Sequence, residues 1–210
     1  MNVAEQQALA AARRVHDRLK GQAQRALADV WHDGDLNDYA ATQERILKAF
    51  PGMVAVYGGA AAEWGSQWYQ LLRDANGVEG GVRAVLDEVP NLDVLNGSVR
   101  NGVHSLYTRH DADAALSTLQ GSLTRHVMQM ERNTIILTAA KDREENGVYS
   151  GWGIVPNPDC CDWCLTKDTK GKAMYTSRKT ALATFHDGCT CSVAPMIEKY
   201  HPPKRKKQSP

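Results

Sequence analysis

The chain holds five cysteines in 210 residues, and all of them fall between Cys160 and Cys191. Cys161-Asp162-Trp163-Cys164 is a C-x-x-C clip. After residues 165–185 comes a second clip, His186-Asp187-Gly188-Cys189, followed by Thr190 and Cys191. Each spacing can turn two ligand atoms toward one cation, and Zn²⁺ takes four nitrogen or sulfur ligands in a tetrahedron. The spacing therefore predicts a structural zinc site built from Cys161, Cys164, His186 and one of Cys189 and Cys191. Spacing favours Cys189, while Cys191 stays open because adjacent positions on a strand face opposite sides. Cys160 reads as a bystander.

Other chemistries fit the same residues less well. Buried free thiols beside a satisfied histidine would explain isolated cysteines, since a free Cys behaves as a small hydrophobe, but they do not explain two clips. A redox dithiol of the thioredoxin kind needs a βαβ setting, and no such pattern precedes Cys160. A catalytic zinc needs an open position and a general base. The chain has no H-E-x-x-H, and no H-x-E precedes its C-x-x-C. His186-Asp187 is the one pair that could serve a zinc-dependent nuclease or hydrolase. Neither a phosphate-binding G-x-x-x-x-G-K-[ST] loop nor a G-x-S-x-G elbow occurs.

The elements that would position the clips are mostly helical. Val15, Leu19, Ala23, Leu27 and Val30 recur at intervals of three and four, which predicts a helix over 3–31. A second is expected from Asn37 to Phe50, with Ile46, Leu47 and Phe50 on one side and Pro51-Gly52 as its stop. A third spans 53–74, with Val56, Ala60, Trp64, Trp68 and Leu71 on its apolar stripe and Asn76-Gly77 at its end. The small residues from Gly58 to Ala62 allow close helix approach. Short helices are expected around Val82–Val89, before Pro90, and around Val99–Leu106. Asp111 then stands as N-cap of a long helix reaching Glu145 and closed by Asn146-Gly147, roughly 50 Å in length.

After Gly147 the pattern becomes rich in glycine and cysteine. A strand-like end near Val155, a strand at 173–175, a short helix at 177–184 and a last strand at 190–194 are expected. The predicted organisation is a mainly α protein: an elongated helical body over 1–146, a small α+β Cys/His module over 147–197, and a mobile basic tail over 198–210. So small a module has little core of its own, and a metal would supply much of its folding free energy. Trp152, Trp163 and Tyr175 are expected to pack around the site. Trp64, Trp68 and Tyr69 read as core, with a partner anchor as the alternative, and His104, His110 and His126 as surface or satisfied histidines.

Charge and hydropathy narrow the function. Lys plus Arg is 25 and Asp plus Glu is 24, a balance unlike that of a dedicated nucleic-acid binder. No segment reaches the roughly 18–20 apolar residues of a membrane span. The first residues show no secretory signal, so the chain is expected to fold in a reducing cytoplasm with its thiols intact. The run Lys204-Arg205-Lys206-Lys207 is a local exception to the charge balance, and it could touch packaged DNA or an acidic protein surface.

The segment from Met130 onward resembles the C-terminal part of the MuF-like minor capsid proteins, or head-morphogenesis proteins, of tailed bacteriophages, in the form found in phages of actinobacteria. The resemblance rests on Arg132, Thr134 and Ile135, then Asp142, Val155-Pro156, Cys161 and Cys164 flanking Trp163, Gly171, Tyr175, the H-x-x-C-x-C of His186, Cys189 and Cys191, and Pro195. This chain departs from the pattern in Asp187-Gly188, where other members carry Pro-Asn, and in the extra Cys160. The resemblance implies a low-copy virion protein of the head interior, present in the host cytoplasm during assembly. It would act by contact with the portal, scaffold or major capsid protein. It carries over no catalytic residue.

Overall fold

The first helix, α1 (Val3–His32), buries Leu9, Ala12, His16, Ala23, Leu27 and Trp31. The stripe is turned slightly from the expected one: Val15, Leu19 and Val30 flank it, half-buried. The structure, a computed structural model, describes residues 3–156, 160, 162–166 and 186–200. Cys161, the expected strand at 173–175, the expected helix at 177–184, Tyr175 and Lys204–Lys207 lie outside the described residues.

Helix α2 (Tyr39–Met53) is capped by Asp38, whose carboxylate accepts from the Ala41 amide at 3.0 Å. It does not stop at Pro51-Gly52. Pro51 lies inside the helix, a five-residue π-helical turn follows at Val54–Gly58, and α3 (Gly59–Ala75) continues without a break. Proline removes one helical donor, and widened turns of this kind accommodate such irregularities. The expected stripe of α3 is also mis-phased. Val56 and Leu71 are 67% and 45% exposed, and the buried face carries Ala61, Ala62, Gly65, Trp68, Tyr69 and Leu72. Asn76 and Gly77, the latter at φ +66°, end α3 as expected.

No helix forms over Val82–Val89. That segment is a strap of extended chain lying along the long helix α6 (Ala112–Asn146). The amides of Val85 and Asp87 donate to the hydroxyls of Thr138 and Thr134 at 3.0 and 2.9 Å, and Asn133 donates to the Asp87 carboxylate at 2.7 Å. These bonds replace the ones a helix would have made internally. Helices α4 (Leu92–Gly102) and α5 (His104–Arg109) follow. Asp111 caps α6 through the Ala114 amide at 2.9 Å, and Gly147 ends it at φ +68°.

The chain then forms β1 (Val148–Val155), α7 (Asp162–Thr166) and β2 (Ser192–Tyr200). The strands pair antiparallel, with Trp152 opposite Pro195 and Ile154 opposite Val193. Proline is tolerated here because, among the described residues, the sheet has two strands and each is an edge. Trp152, Val193 and Ala194 share a core with Leu9 and Ala12 of α1, Trp68, Tyr69 and Leu72 of α3, and Ile135, Ile136 and Ala139 of α6. A second core joins the C-terminal half of α1 to α2, α4, α5 and the N-terminal half of α6. The protein is mainly α, with a Cys/His cluster in its C-terminal region.

Contact between α3 and α6 depends on small residues. A Cβ on Gly65 would stand 3.0 Å from both the backbone oxygen and the Cγ of Glu131. That Glu131 carboxylate is bonded to His16 Nε2 of α1 at 2.6–2.7 Å, both side chains being buried. Gly65→Ala is therefore expected to destabilise the fold by about 1–2 kcal/mol, the overpacking exceeding the gain in helix propensity. Urea denaturation measures it, and a stabilised variant would contradict the close approach.

Candidate metal centre

Three ligand atoms converge at the edge of the second strand. Cys164 is on α7, His186 precedes a turn whose Gly188 has φ +75°, and Cys189 follows that turn. Cys164 Sγ lies 3.7 Å from His186 Nε2 and 3.7 Å from Cys189 Sγ, and the three atoms all lie within 4.8 Å of one another. Both cysteines are buried, while His186 is exposed.

These separations fit a tetrahedral zinc site. Two sulfurs bound at about 2.3 Å stand about 3.8 Å apart, and a bound sulfur and imidazole nitrogen about 3.6 Å. The imidazole is also oriented for the role. Its Nδ1 lies 2.8 Å from the Asp187 carbonyl oxygen, and an Nδ1–H donating there leaves the Nε2 lone pair toward Cys164. Cys164, His186 and Cys189 would hold the ion, which would cross-link α7 to the 186–189 turn. Cys191, 2% exposed, hydrogen-bonds to the Cys189 thiol and packs with Ile154, Cys164 and Cys189. Cys160 is half-buried at the edge of this cluster.

The electrostatics favour thiolate. The Cys189 thiol is pushed down to about 5 by the hydrogen bond with Cys191, helped by the charge of Arg132 and opposed by burial. Arg132 of α6 is fully buried. Its Nη2 donates to the carbonyls of Cys189 and Cys191, each at 2.9 Å, and its Nε donates to Cys191 at 3.1 Å. Burial lowers the Arg132 pKa, and the charges of Cys189, Glu131, Cys191 and Cys164 oppose that shift.

Helix α6 grips the His186–Cys189 turn at a second place. Ser122 donates to the Asp187 carboxylate at 3.0 Å, Arg125 Nε pairs with it at 2.5 Å, and the Gly188 amide donates to the Gly121 carbonyl at 2.9 Å. Gly121 leaves room for this approach, because a Cβ there would come 3.3 Å from that of Asp187. The ion pair is more than a third exposed, so its own contribution is about 1 kcal/mol or less. Sequence reasoning missed Ser122 and Arg125 and placed Arg132 only by resemblance. The available signal was Ser122, Arg125 and Arg132, polar residues at helical spacing of three and seven, set among the apolar positions 119, 123, 127 and 130.

His126, on the same helix, donates to or accepts from Ser98 Oγ at 2.9 Å and meets the Phe50 ring edge-on at 6.2 Å. Burial, reinforced by Arg125 and opposed by Asp187, pushes its pKa down to about 4. Between pH 6.5 and 4 the unfolded chain binds a proton at this site that the folded chain refuses, so stability falls as the pH falls through that window. The loss is expected to reach about 2–3 kcal/mol near pH 4. His126→Gln should flatten the pH dependence of urea denaturation there, and an unchanged slope would contradict the assignment.

Taken together, the fold and the cluster define a helical protein whose longest helix seats a thiol–imidazole centre. The VG15 protein family matches residues 3–208, and the chain belongs to that family of phage proteins. No curated protein and no solved structure matches it. No helix among the described residues is long and apolar enough to cross a membrane.

Proposed function

We propose that this phage protein is a structural component of the head, a minor capsid or head-morphogenesis protein of the MuF-like kind. In this reading it acts through protein–protein contacts near the portal, with scaffold or major capsid protein as further partners. A structural zinc ion is held by Cys164, His186, Cys189 and a third thiol, Cys161 or Cys191. Family membership over 3–208 supports the phage assignment, and the motif from Arg132 to Pro195 supports the finer one. The observation that carries the structural role is the commitment of the Asp187 carboxylate to Ser122 and Arg125. A carboxylate so engaged is poorly placed to activate a water, so the reading of His186 and Asp187 as a nuclease or hydrolase pair has less support. Exposed Leu86, Val89, Leu92 and Val94 suit a chain that works by contact. The basic run Lys204–Lys207 would add a salt-sensitive contact with packaged DNA.

Quantitative mass spectrometry of purified procapsids and virions tests the proposal. The protein is expected in procapsids at a low copy number, cross-linked to the portal. Its presence in infected cells together with its absence from procapsids and virions would overturn the reading.

A further inference from the structure

The extended strap gives one backbone edge to α6 and leaves the other open. The amides of Val85 and Asp87 donate to the hydroxyls of Thr138 and Thr134 at 3.0 and 2.9 Å. Those threonines stand one helical turn apart, about 6 Å along the axis, and two residues of extended chain advance about 6.6 Å. The match makes residues 84–88 a β-like strand running antiparallel to α6. In such a strand, alternate residues turn their N–H and C=O groups to opposite edges. The backbone groups of Ala84, Leu86 and Glu88 therefore face away from α6, and they make no hydrogen bond among the described residues. We propose that this open edge is a docking site for an extended segment of another protein, added as a second strand, whose side chains are aliphatic and basic. The inference deepens the reading of the chain as a contact protein, on which it rests for the existence of a partner.

The partner's chemistry follows from what flanks the edge. Exposed Leu86, Val89, Leu92 and Val94 cluster along the strap and its exit into α4, which suits aliphatic side chains on the incoming strand. Exposed Glu79, Glu88 and Asp93 outweigh exposed Arg83 over the same stretch. Charge complementarity therefore selects Lys or Arg, and it disfavours a second copy, which would set like carboxylates side by side. The strap is also held ready. Arg73 donates to the Gly80 carbonyl at 2.7 Å before it, the two threonines hold its middle, and Asn91 caps α4 through the Asp93 amide at 2.8 Å after it. Docking then orders little of this chain. Main-chain bonds along the edge would give affinity, and the flanking side chains would give selectivity.

The probe is a library of short peptides with Val at alternate positions and Lys, Glu or Ser at the others, selected against the full chain. Lys peptides are expected to be enriched over Glu and Ser peptides by about tenfold or more. Leu86→Ser and Glu88→Lys alter exposed side chains, and each should lower the affinity of an enriched peptide by about fivefold or more. Either variant suffices if the other fails to fold. Methylating the peptide amides along one edge should abolish binding, and methylating those along the other should leave it, because an added strand pairs along one edge. Lack of Lys enrichment, unchanged affinity in the folded variants, or binding indifferent to which amides are methylated would overturn the proposal. So would a dimer of the parent chain that Leu86→Ser makes monomeric, since a second copy would then hold the edge. Absence of the protein from procapsids would sink the head reading and leave the peptide result standing, so the two failures are distinct.

Discussion

Cys189→Ser is expected to weaken zinc binding by about 100–1000-fold and to free residues 186–191 from α6. Structural zinc supplies about 10–16 kcal/mol across four ligands, so one ligand is worth about 2.5–4 kcal/mol. Under the zinc reading proposed above, Cys189 would be the ligand whose loss disturbs the cluster most. Its sulfur stands 3.7 Å from that of Cys164, it hydrogen-bonds with Cys191, and its carbonyl is held by Arg132. Its thiol is also held down, to about 5, by the hydrogen bond with Cys191 and the charge of Arg132, which favours the thiolate a metal takes. Serine offers neither a soft ligand nor a ready anion. Cobalt absorption would report the lost thiolate, and hydrogen exchange would report the freed turn. Cys160→Ser is the control and should bind as the parent does, since Cys160 only packs at the edge of the cluster. Equal affinity of the Cys189→Ser and parent proteins would show that this sulfur holds no metal.

Asp142→Ala is expected to cost about 3–5 kcal/mol, because it leaves a buried guanidinium without its counter-charge. Arg73 Nε lies 2.9 Å from Asp142 Oδ2, and both side chains are 0% exposed. The same carboxylate accepts from Tyr69 at 2.8 Å and from Asn146 at 2.7 Å, so α3 and the end of α6 are joined at one buried point. Arg73 also donates to the Gly80 carbonyl at 2.7 Å, which fixes the start of the extended strap. Tyr69→Phe removes one of these bonds and should cost about 1 kcal/mol. The double replacement Arg73→Met with Asp142→Leu should recover most of the loss, since apolar residues of similar volume can replace a buried pair. Urea denaturation of the four proteins measures all of this. A loss below about 1 kcal/mol for Asp142→Ala would mean that water reaches the pair.

Features set by short stretches of sequence were legible beforehand. Asp111 and Gly147 bound α6 because a capping side chain and a left-handed glycine act within one turn. Ile46 and Phe50 mark the buried side of α2, and the two clips bring Cys164, His186 and Cys189 together. Tertiary contacts overrode the local signals elsewhere. Pro51-Gly52 has the look of a stop, yet the chain passes through it as α-helix and then through a widened turn at Val54–Gly58 that leads into α3 against α6. Val82–Val89 has the spacing of a helix, but the hydroxyls of Thr134 and Thr138 capture its amides instead. The α3 stripe was misplaced because hydrophobicity points to Val56 and Leu71, while close packing on α6 selects Gly58 and Gly65. Asp187 beside His186 suggested acid–base chemistry, and only the arrival of Ser122 and Arg125 from 65 and 62 positions upstream shows its structural use.

Between Glu131 and Asp142, α6 is engaged on every side: His16 on one, the Cys189 and Cys191 carbonyls on another, the strap at Thr134 and Thr138, and Arg73 at its end. The partners of Arg132 are synthesised 57 and 59 residues after it. A nascent chain whose helices have already left the ribosome must therefore hold this rod half-bare, with a guanidinium and an apolar flank in water, until the last strand emerges to cover them. Such an interval exposes sticky surface, and it makes the arrival of β2, rather than formation of the helices, the moment at which this face of α6 is covered.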